Sequence, residues 1–490
     1  MSVCFLYHPE AWQLRVVRSC VDTLASLLET PHRSAVLGAQ VPEHQPIVYI
    51  GPPENAPEAA AAVVPVEGWP DWAGAELEVA SFDGEPILCP RAALSPPGSD
   101  RVFPGPWLRS IGFLLAREEE RSDSRRDQWE CFSGFYATAG AHGVLDVPIV
   151  NHAALELARR IEVWCERRHV TLERVPRWKD GARFAAVLSH DVDDLTLYSL
   201  SGAWRLLRQA KSPTSYAFRA GFANALRTLA RGRQGGDPYW NFDRWVAAEE
   251  RRGFRSTFYF HPSELRHRHE FDPVYRVTDP VEFEGRRLKL AAMVRLLAQR
   301  GFEIGLHGSY LSHRDGEELA RQKRQIESAS GCAVRGLRQH FLRFDIGSTW
   351  SAQERAGFVY DSTLGFNEAI GFRAGIAAPF HPWDLKLGQA RRLLELPLTV
   401  MDGTLFRTLK LDAARAAERV REHLEGIERA GGLAVLLWHP NAAAEQRFPG
   451  WWESYLQTLD HLAARGAWVT TGEALSEWWI DRAARMAASG

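Results

Sequence analysis

From about residue 180 onward, short apolar runs rich in β-branched and aromatic residues alternate with stretches of helical periodicity. This alternation restricts the fold more than any other feature of the chain. The runs are FAAVLS (184–189), STFYF (256–260), FEIGL (302–306), LLELPL (393–398), LAVLLW (433–438) and AWVT (467–470). Between them the pattern predicts helices over 288–300, closed by Gly301, and over 412–430. Continuous apolar strands separated by amphipathic helices indicate a parallel sheet covered on both faces. An α/β barrel or an open doubly wound sheet fits, and both carry their chemistry at the C-terminal ends of the strands.

Three of the predicted strands run directly into such residues: FAAVLS into His190, Asp191, Val192, Asp193 and Asp194, FEIGL into His307, and LAVLLW into His439. Asp191 and Asp193 point the same way in an extended chain, because side chains repeat every two residues. Two carboxylates on one face repel unless a cation or an arginine separates them. A divalent ion removes that cost, leaving one acid as ligand and the other as base; the alternative is a loop of solvated acids with Asp193 or Asp194 as a helix N-cap. His307, directly after a buried strand, is expected to bind zinc through its neutral imidazole. His313, six residues on, reaches the same ion only from a loop; otherwise it is a surface histidine beside Arg314 and Asp315. In RGLRQHFLRFD an arginine near the acids orients a base, and His340 is a ligand or packs beside substrate. His439, next to Trp438, suits a general acid or is a satisfied core histidine.

The length of 490 residues exceeds one ordinary core. The expected division is a domain over 1–150, a connecting segment over 151–180, and a larger domain over 181–490. The first part holds one strand candidate, PIVYI at 46–50. Around it lie a Pro/Ala/Gly-rich stretch from Pro52 to Trp69, a loop-like stretch from Pro90 (PRAALSPPGSDRVFPGP), and a charged run at 117–127. It carries no catalytic signature and reads as a structural or recognition domain. The net charge of -2 gives no reason to expect nucleic acid. Cys4, Cys20, Cys89, Cys131, Cys165 and Cys332 form no CxxC pair and suit reduced thiols in a cytoplasmic protein. Glu10 precedes any apolar stretch, against a signal peptide, and no run of about 18 apolar residues exists to span a membrane.

Between Asp194 and Asp237 there is no acid, but there are Arg205, Arg208, Lys211, Arg219, Arg227, Arg231 and Arg233 with apolar residues interleaved. This basic insertion near 200–236 reads as a partly helical stretch in peripheral contact with an anionic inner-membrane surface, or as the solvated face of an ordinary insertion. Trp240, Trp383, Trp438, Trp451 and Trp452, among 18 tryptophans, suit sugar rings or core packing.

These residues resemble the polysaccharide deacetylase family, the NodB-homology or carbohydrate esterase family 4 group, over about 180–480. SHDVDD is similar to its first motif, EIGLHGS to the metal-histidine motif, GLRQHF to the arginine motif and LLWHP to the late Leu–His motif. YDSTLGF (360–366) and ELPLTVMDGTL (395–405) are similar to the subset with an extra N-terminal domain of unknown role, found among cell-envelope polysaccharide enzymes. The resemblance implies a distorted (β/α)7-type barrel and a divalent metal, most often zinc. It implies an N-acetylated saccharide substrate in a polysaccharide or glycolipid precursor. By matching position, Asp191 is the base, Asp193 and His307 are metal ligands, Arg338 pairs with the base and His439 is the acid; the Phe341 backbone N–H is a candidate oxyanion donor. One departure stands out: the family's second ligand histidine falls on Leu311, so the third ligand is expected to be His340, which stands in the arginine motif, or else His313 or a water. A glycosidase would leave His307 and His439 idle. Leu311 instead keeps open a degenerate saccharide-binding scaffold.

Overall fold

The structure is a computed structural model that describes the chain except residues 67, 73–74, 83–84, 91–99, 232–235 and 489–490. Most of the loop-like stretch from Pro90 and one cation of the basic insertion, Arg233, lie outside the described residues.

The chain opens with a four-stranded parallel sheet: β1 (Val3–Tyr7), β2 (His32–Val36), β3 (Ile47–Ile50) and β4 (Ala62–Val64), in the order β2-β1-β3-β4. Helix α1 (Arg15–Leu27) crosses from β1 to β2 and buries Val17, Val21, Leu24 and Leu27. Only β3 is legible as a strand from its residues. β1 follows no turn signal, β2 begins with the polar His32, Arg33 and Ser34, and β4 has three residues inside the Pro/Ala/Gly-rich stretch. Helix α2 (Ile149–Arg168) packs on this layer, and one continuous apolar core runs from Val3 to Trp479 through both parts of the chain. The start of the charged run is turned inward: Glu120 is buried, 2.8 Å from Arg117 and 2.7 Å from Arg373.

The larger sheet is parallel throughout. Its strands are β5 (Ala185–Val192), β6 (Thr257–Phe260), β7 (Glu303–Gly308), β8 (Gly336–Gln339), β9 (Tyr360–Asp361), β10 (Leu394–Glu395), β11 (Val400–Met401), β12 (Leu433–Leu437) and β13 (Trp468–Thr470). The order is β10-β9-β8-β7-β6-β5-β12-β11, with β13 on the first half of the β5 edge that β6 takes over from Ser189. The predicted strand over 393–398 is interrupted, because Pro397 has no N–H to give a ladder. The interruption closes the sheet: Leu396 N–H donates to Asp361 O at 2.8 Å and Thr399 N–H to Val435 O at 3.0 Å, bridging its two ends. With β10 and β11 as one bent stave, seven staves form a distorted (β/α)7-type barrel.

Inside it, two glycines make room for two tyrosines. A Cβ on Gly336 would lie 1.9 Å from Tyr360 Cζ, and one on Gly305 would lie 2.4 Å from Tyr259 Cδ1. The predicted helices appear as Leu290–Gln299, followed by Gly301 at φ +82°, and Ala413–Arg429, capped by Asp412 accepting from Arg415 N–H at 2.9 Å.

Candidate metal centre

The strand ends of β5, β7 and β8 bring Asp191, Asp193, His307, Arg338 and His340 to one rim. His307 and Arg338 are direct neighbours in register. Strand alternation turns His190 the other way, into a buried contact with Glu249 at 2.8 Å, and keeps Asp191 and Asp193 on the His307 side. Asp193 Oδ1 lies 3.1 Å from His307 Nε2 and 3.4 Å from His340 Nδ1, and the two imidazole nitrogens are 2.9 Å apart. Among the described residues these three form the group whose ligand atoms could share one ion.

The protonation pattern explains why. His307 Nδ1 is 3.0 Å from the Arg338 carbonyl and His340 Nε2 is 2.9 Å from the Phe271 carbonyl. A carbonyl accepts only, so each of these nitrogens carries a hydrogen, and each opposite nitrogen presents a lone pair. Two lone pairs therefore face each other beside Asp193 Oδ1, which is buried and accepts no hydrogen bond. A proton shared between the two nitrogens as an N–H···N bond still leaves Asp193 Oδ1 without a donor; a divalent cation satisfies all three atoms, and a carboxylate with two neutral imidazoles is an ordinary donor set for one. Burial alone would push the Asp193 carboxyl up. With no ion present, the protonated forms of its neighbours His340, His307 and His439 outweigh burial and hold it well below the usual range.

Of the two residues considered for the missing ligand, His340 is in this cluster and His313 is not. His313 sits on the turn Ser312–Arg314, where burial and the nearby Arg343 and Arg314 bring its pKa down to about 4. The chain from Ser309 to Ser312 carries it away from the ion position. Leu311 is 44% exposed and takes no part.

Arg338, fully buried, donates to Asp191 Oδ1 at 3.0 Å and to Ser189 Oγ at 2.8 Å, and is anchored on the Ser362 carbonyl at 2.8 Å. His439 Nε2 faces Asp193 Oδ2 at 3.4 Å, and its Nδ1 is 2.7 Å from Asp402 Oδ1. Burial disfavours the imidazolium, but Asp402 and Asp193 overcome it and raise the His439 pKa well above its ordinary value. Asp402 sits one residue after β11 within ELPLTVMDGTL; strand-end placement was the signal that could have found it.

The rim opens into a cleft of about 500 Å³, lined among others by Trp129, Tyr216, Phe271, Phe341 and Arg407. None of the five tryptophans proposed for sugar contact lines it, and Trp438 is fully buried against Tyr455. The tryptophan of the cleft, Trp129, comes from the N-terminal part and stacks on Phe341, centroids 4.6 Å apart. Phe341 holds a left-handed backbone, φ +58°, costly for a bulky residue. Its carbonyl is held by Asn367 Nδ2 at 3.1 Å and by the Cys131 thiol. No sequence pattern marks Trp129, because its place depends on a contact more than 200 positions away.

No protein-family model matches the chain, and none of the curated proteins matches it. Solved structures do. One is assigned as a polysaccharide deacetylase from Mycobacterium smegmatis, with 21% identity, TM-score 0.41, covering 62% of this chain and 93% of that one. A probable polysaccharide deacetylase from Pseudomonas aeruginosa PAO1 matches at 12% identity and TM-score 0.41, covering 62% and 94%. Puue allantoinase matches at 12% identity and TM-score 0.41, covering 62% and 93%. At these values the likeness bears on neither substrate nor mechanism.

Proposed function

We propose that the chain is a metal-dependent deacetylase that hydrolyses the N-acyl group, an N-acetyl, of a sugar in a polysaccharide or glycolipid precursor. The observation that carries this reading is the pair of imidazole lone pairs 2.9 Å apart beside an unpartnered buried carboxylate oxygen. Asp193 Oδ1, His307 Nε2 and His340 Nδ1 would hold a divalent ion, zinc by donor type. When bound, such an ion polarises an acyl carbonyl and lowers the pKa of a water from about 15.7 towards about 7.

The chain's own groups supply the proton transfers. Asp191, fixed by Arg338, takes a proton from the attacking water. His439, an imidazolium oriented by Asp402, gives a proton to the leaving amine as the C–N bond breaks, so that a carboxylic acid and a free sugar amine result. Trp129 and Phe341 offer aromatic faces to a sugar ring. Six free cysteines and no disulfide among the described residues suit a cytoplasmic setting.

Leu311 favours a second reading, a catalytically degenerate saccharide-binding scaffold. Metal analysis of the purified chain separates the two. The deacetylase reading expects a stoichiometric divalent ion and acetate release from N-acetylated glycans. Asp191→Asn should keep the ion while kcat falls by about 10²–10⁴-fold. Wild-type turnover in that variant removes Asp191 as the base, and a metal-free, inactive chain leaves the scaffold.

A further inference from the structure

The basic insertion folds as two packed helices, α3 (Leu200–Gln209) and α4 (Tyr216–Arg231). They cross closely at Gly221, where a Cβ would meet the Ala203 carbonyl oxygen and Leu207 Cγ, each at 3.0 Å. One side of the pair is tied to the barrel by Arg205, 2.6 Å from Asp279, and Leu206, Tyr216 and Ala220 line the cleft.

The other side is open and has a regular composition. Leu200, Trp204 and Arg208 follow one another at spacings of one helical turn, with Lys211 just past the end of α3, and Arg219, Phe222, Leu226 and Leu229 do the same on α4. The five apolar members are each more than half exposed, Leu229 at 69%, and the three cations are exposed as well. Arg208, Lys211 and Arg219 have no ion-pair partner among the described residues, and the sequence from 195 to 236 contains no acid.

We infer that this face is a docking surface for an anionic lipid bilayer. Large aliphatic and aromatic side chains interleaved with free cations on helices lying side by side match an interfacial membrane-binding helix: the apolar tips enter the headgroup–acyl boundary while the cations meet the anionic headgroups. A nucleic-acid surface would be polar between its cations, and an acidic protein partner would not call for five exposed apolar side chains on consecutive turns. No helix of the described chain is long and apolar enough to cross a membrane, so docking would be peripheral. Because the same two helices wall the cleft, docking would set the rim beside the bilayer. Resting on the function proposed above, this makes the substrate class a saccharide carried on a membrane lipid.

The test is flotation of the full chain with phosphatidylglycerol/phosphatidylcholine vesicles at low salt, against pure phosphatidylcholine. The wild-type chain should float with the anionic vesicles and lose binding as salt rises. Arg208→Ala/Lys211→Ala/Arg219→Ala should weaken partitioning on the order of 100-fold, at roughly a factor of five for each cation. Trp204→Ser/Leu229→Ser should abolish flotation while keeping the wild-type circular dichroism and any activity on a soluble N-acetylated sugar. No flotation of the wild type at low salt, undiminished flotation of both variants, or self-association through this face without vesicle binding would each overturn the inference. Flotation needs no turnover, so an inactive chain that floats leaves the docking surface standing and sinks only the deacetylase reading.

Discussion

The sheet β1–β4 and the barrel sheet β5–β13 are built by the same rule, parallel strands whose C-terminal ends share one rim. The order β2-β1-β3-β4 even has the switch point, between β1 and β3, at which α/β sheets take their ligands. There, however, the space over Gly51 is filled: a Cβ would meet His8 Cβ at 2.5 Å and Tyr49 Oη at 2.9 Å. At the barrel rim the strand ends stand around a cleft of about 500 Å³ and carry Asp191, Asp193, Asp194, His307, His340 and His439. Topology provides a rim in both places. A site exists only where the residues just past the strands are ligands and the loops stand back from them.

The sharpest way to break the comparison is to remove one strand-end histidine from each sheet. His307→Ala should lose the bound ion and about 10³-fold in activity, the several kcal/mol an ion supplies. His8→Ala should change neither, and equal losses in both variants would show that the two rims are not distinct. Second comes the junction between the regions. Glu120→Gln leaves Arg373 without a carboxylate partner in the core and Arg117 with Glu119 alone, and should cost about 3–5 kcal/mol by urea unfolding.

Its pH dependence has a defined sign. Burial raises the Glu120 pKa, but Arg373 and Arg117 prevail and bring it to about 2. The folded value lies below the unfolded value of about 4.3, so this stabilisation is complete above that pH and lost as pH falls towards 2; the glutamine variant should show a shallower loss of stability than the wild type over this window. A third, smaller effect is expected for Asp402→Asn, which leaves His439 in place but unoriented: a loss of about 10–100-fold in kcat, with metal content unchanged. Smallest is Trp129→Ala, the one aromatic the N-terminal part lends to the cleft. It should raise KM by roughly tenfold or less, about 0.5–1.5 kcal/mol of ring contact, with kcat kept. A larger effect on kcat would make the N-terminal part a catalytic partner rather than a wall.

Much of the barrel can be read from the chain. Runs such as FAAVLS and LAVLLW are apolar on both faces, and only a covered parallel sheet buries both. The residues that follow them then fall on the rim by geometry alone, which is how Asp191, Asp193, His307 and His439 could be named. The strands of the first sheet were mostly illegible. β1, β2 and β4 are short or polar-edged, and their pairing is non-local, so no window of sequence contains the partner that makes them strands. His340 is favoured over His313 in the sequence only by its place in the arginine motif, since ligation depends on which loop turns inward and not on distance along the chain.

What the sequence alone determined was periodicity, and with it a covered parallel sheet, its chemical rim and the acid-free, cation-bearing insertion, because those follow from side-chain pattern and local backbone preference. Tertiary structure alone decided the rest: that His340 Nδ1 meets His307 Nε2, that Asp402 holds His439, and that Trp129 closes the cleft. Each of these joins residues at least 33 positions apart. Their meeting is set by how the sheet closes and the loops pack, and a local pattern carries no record of that.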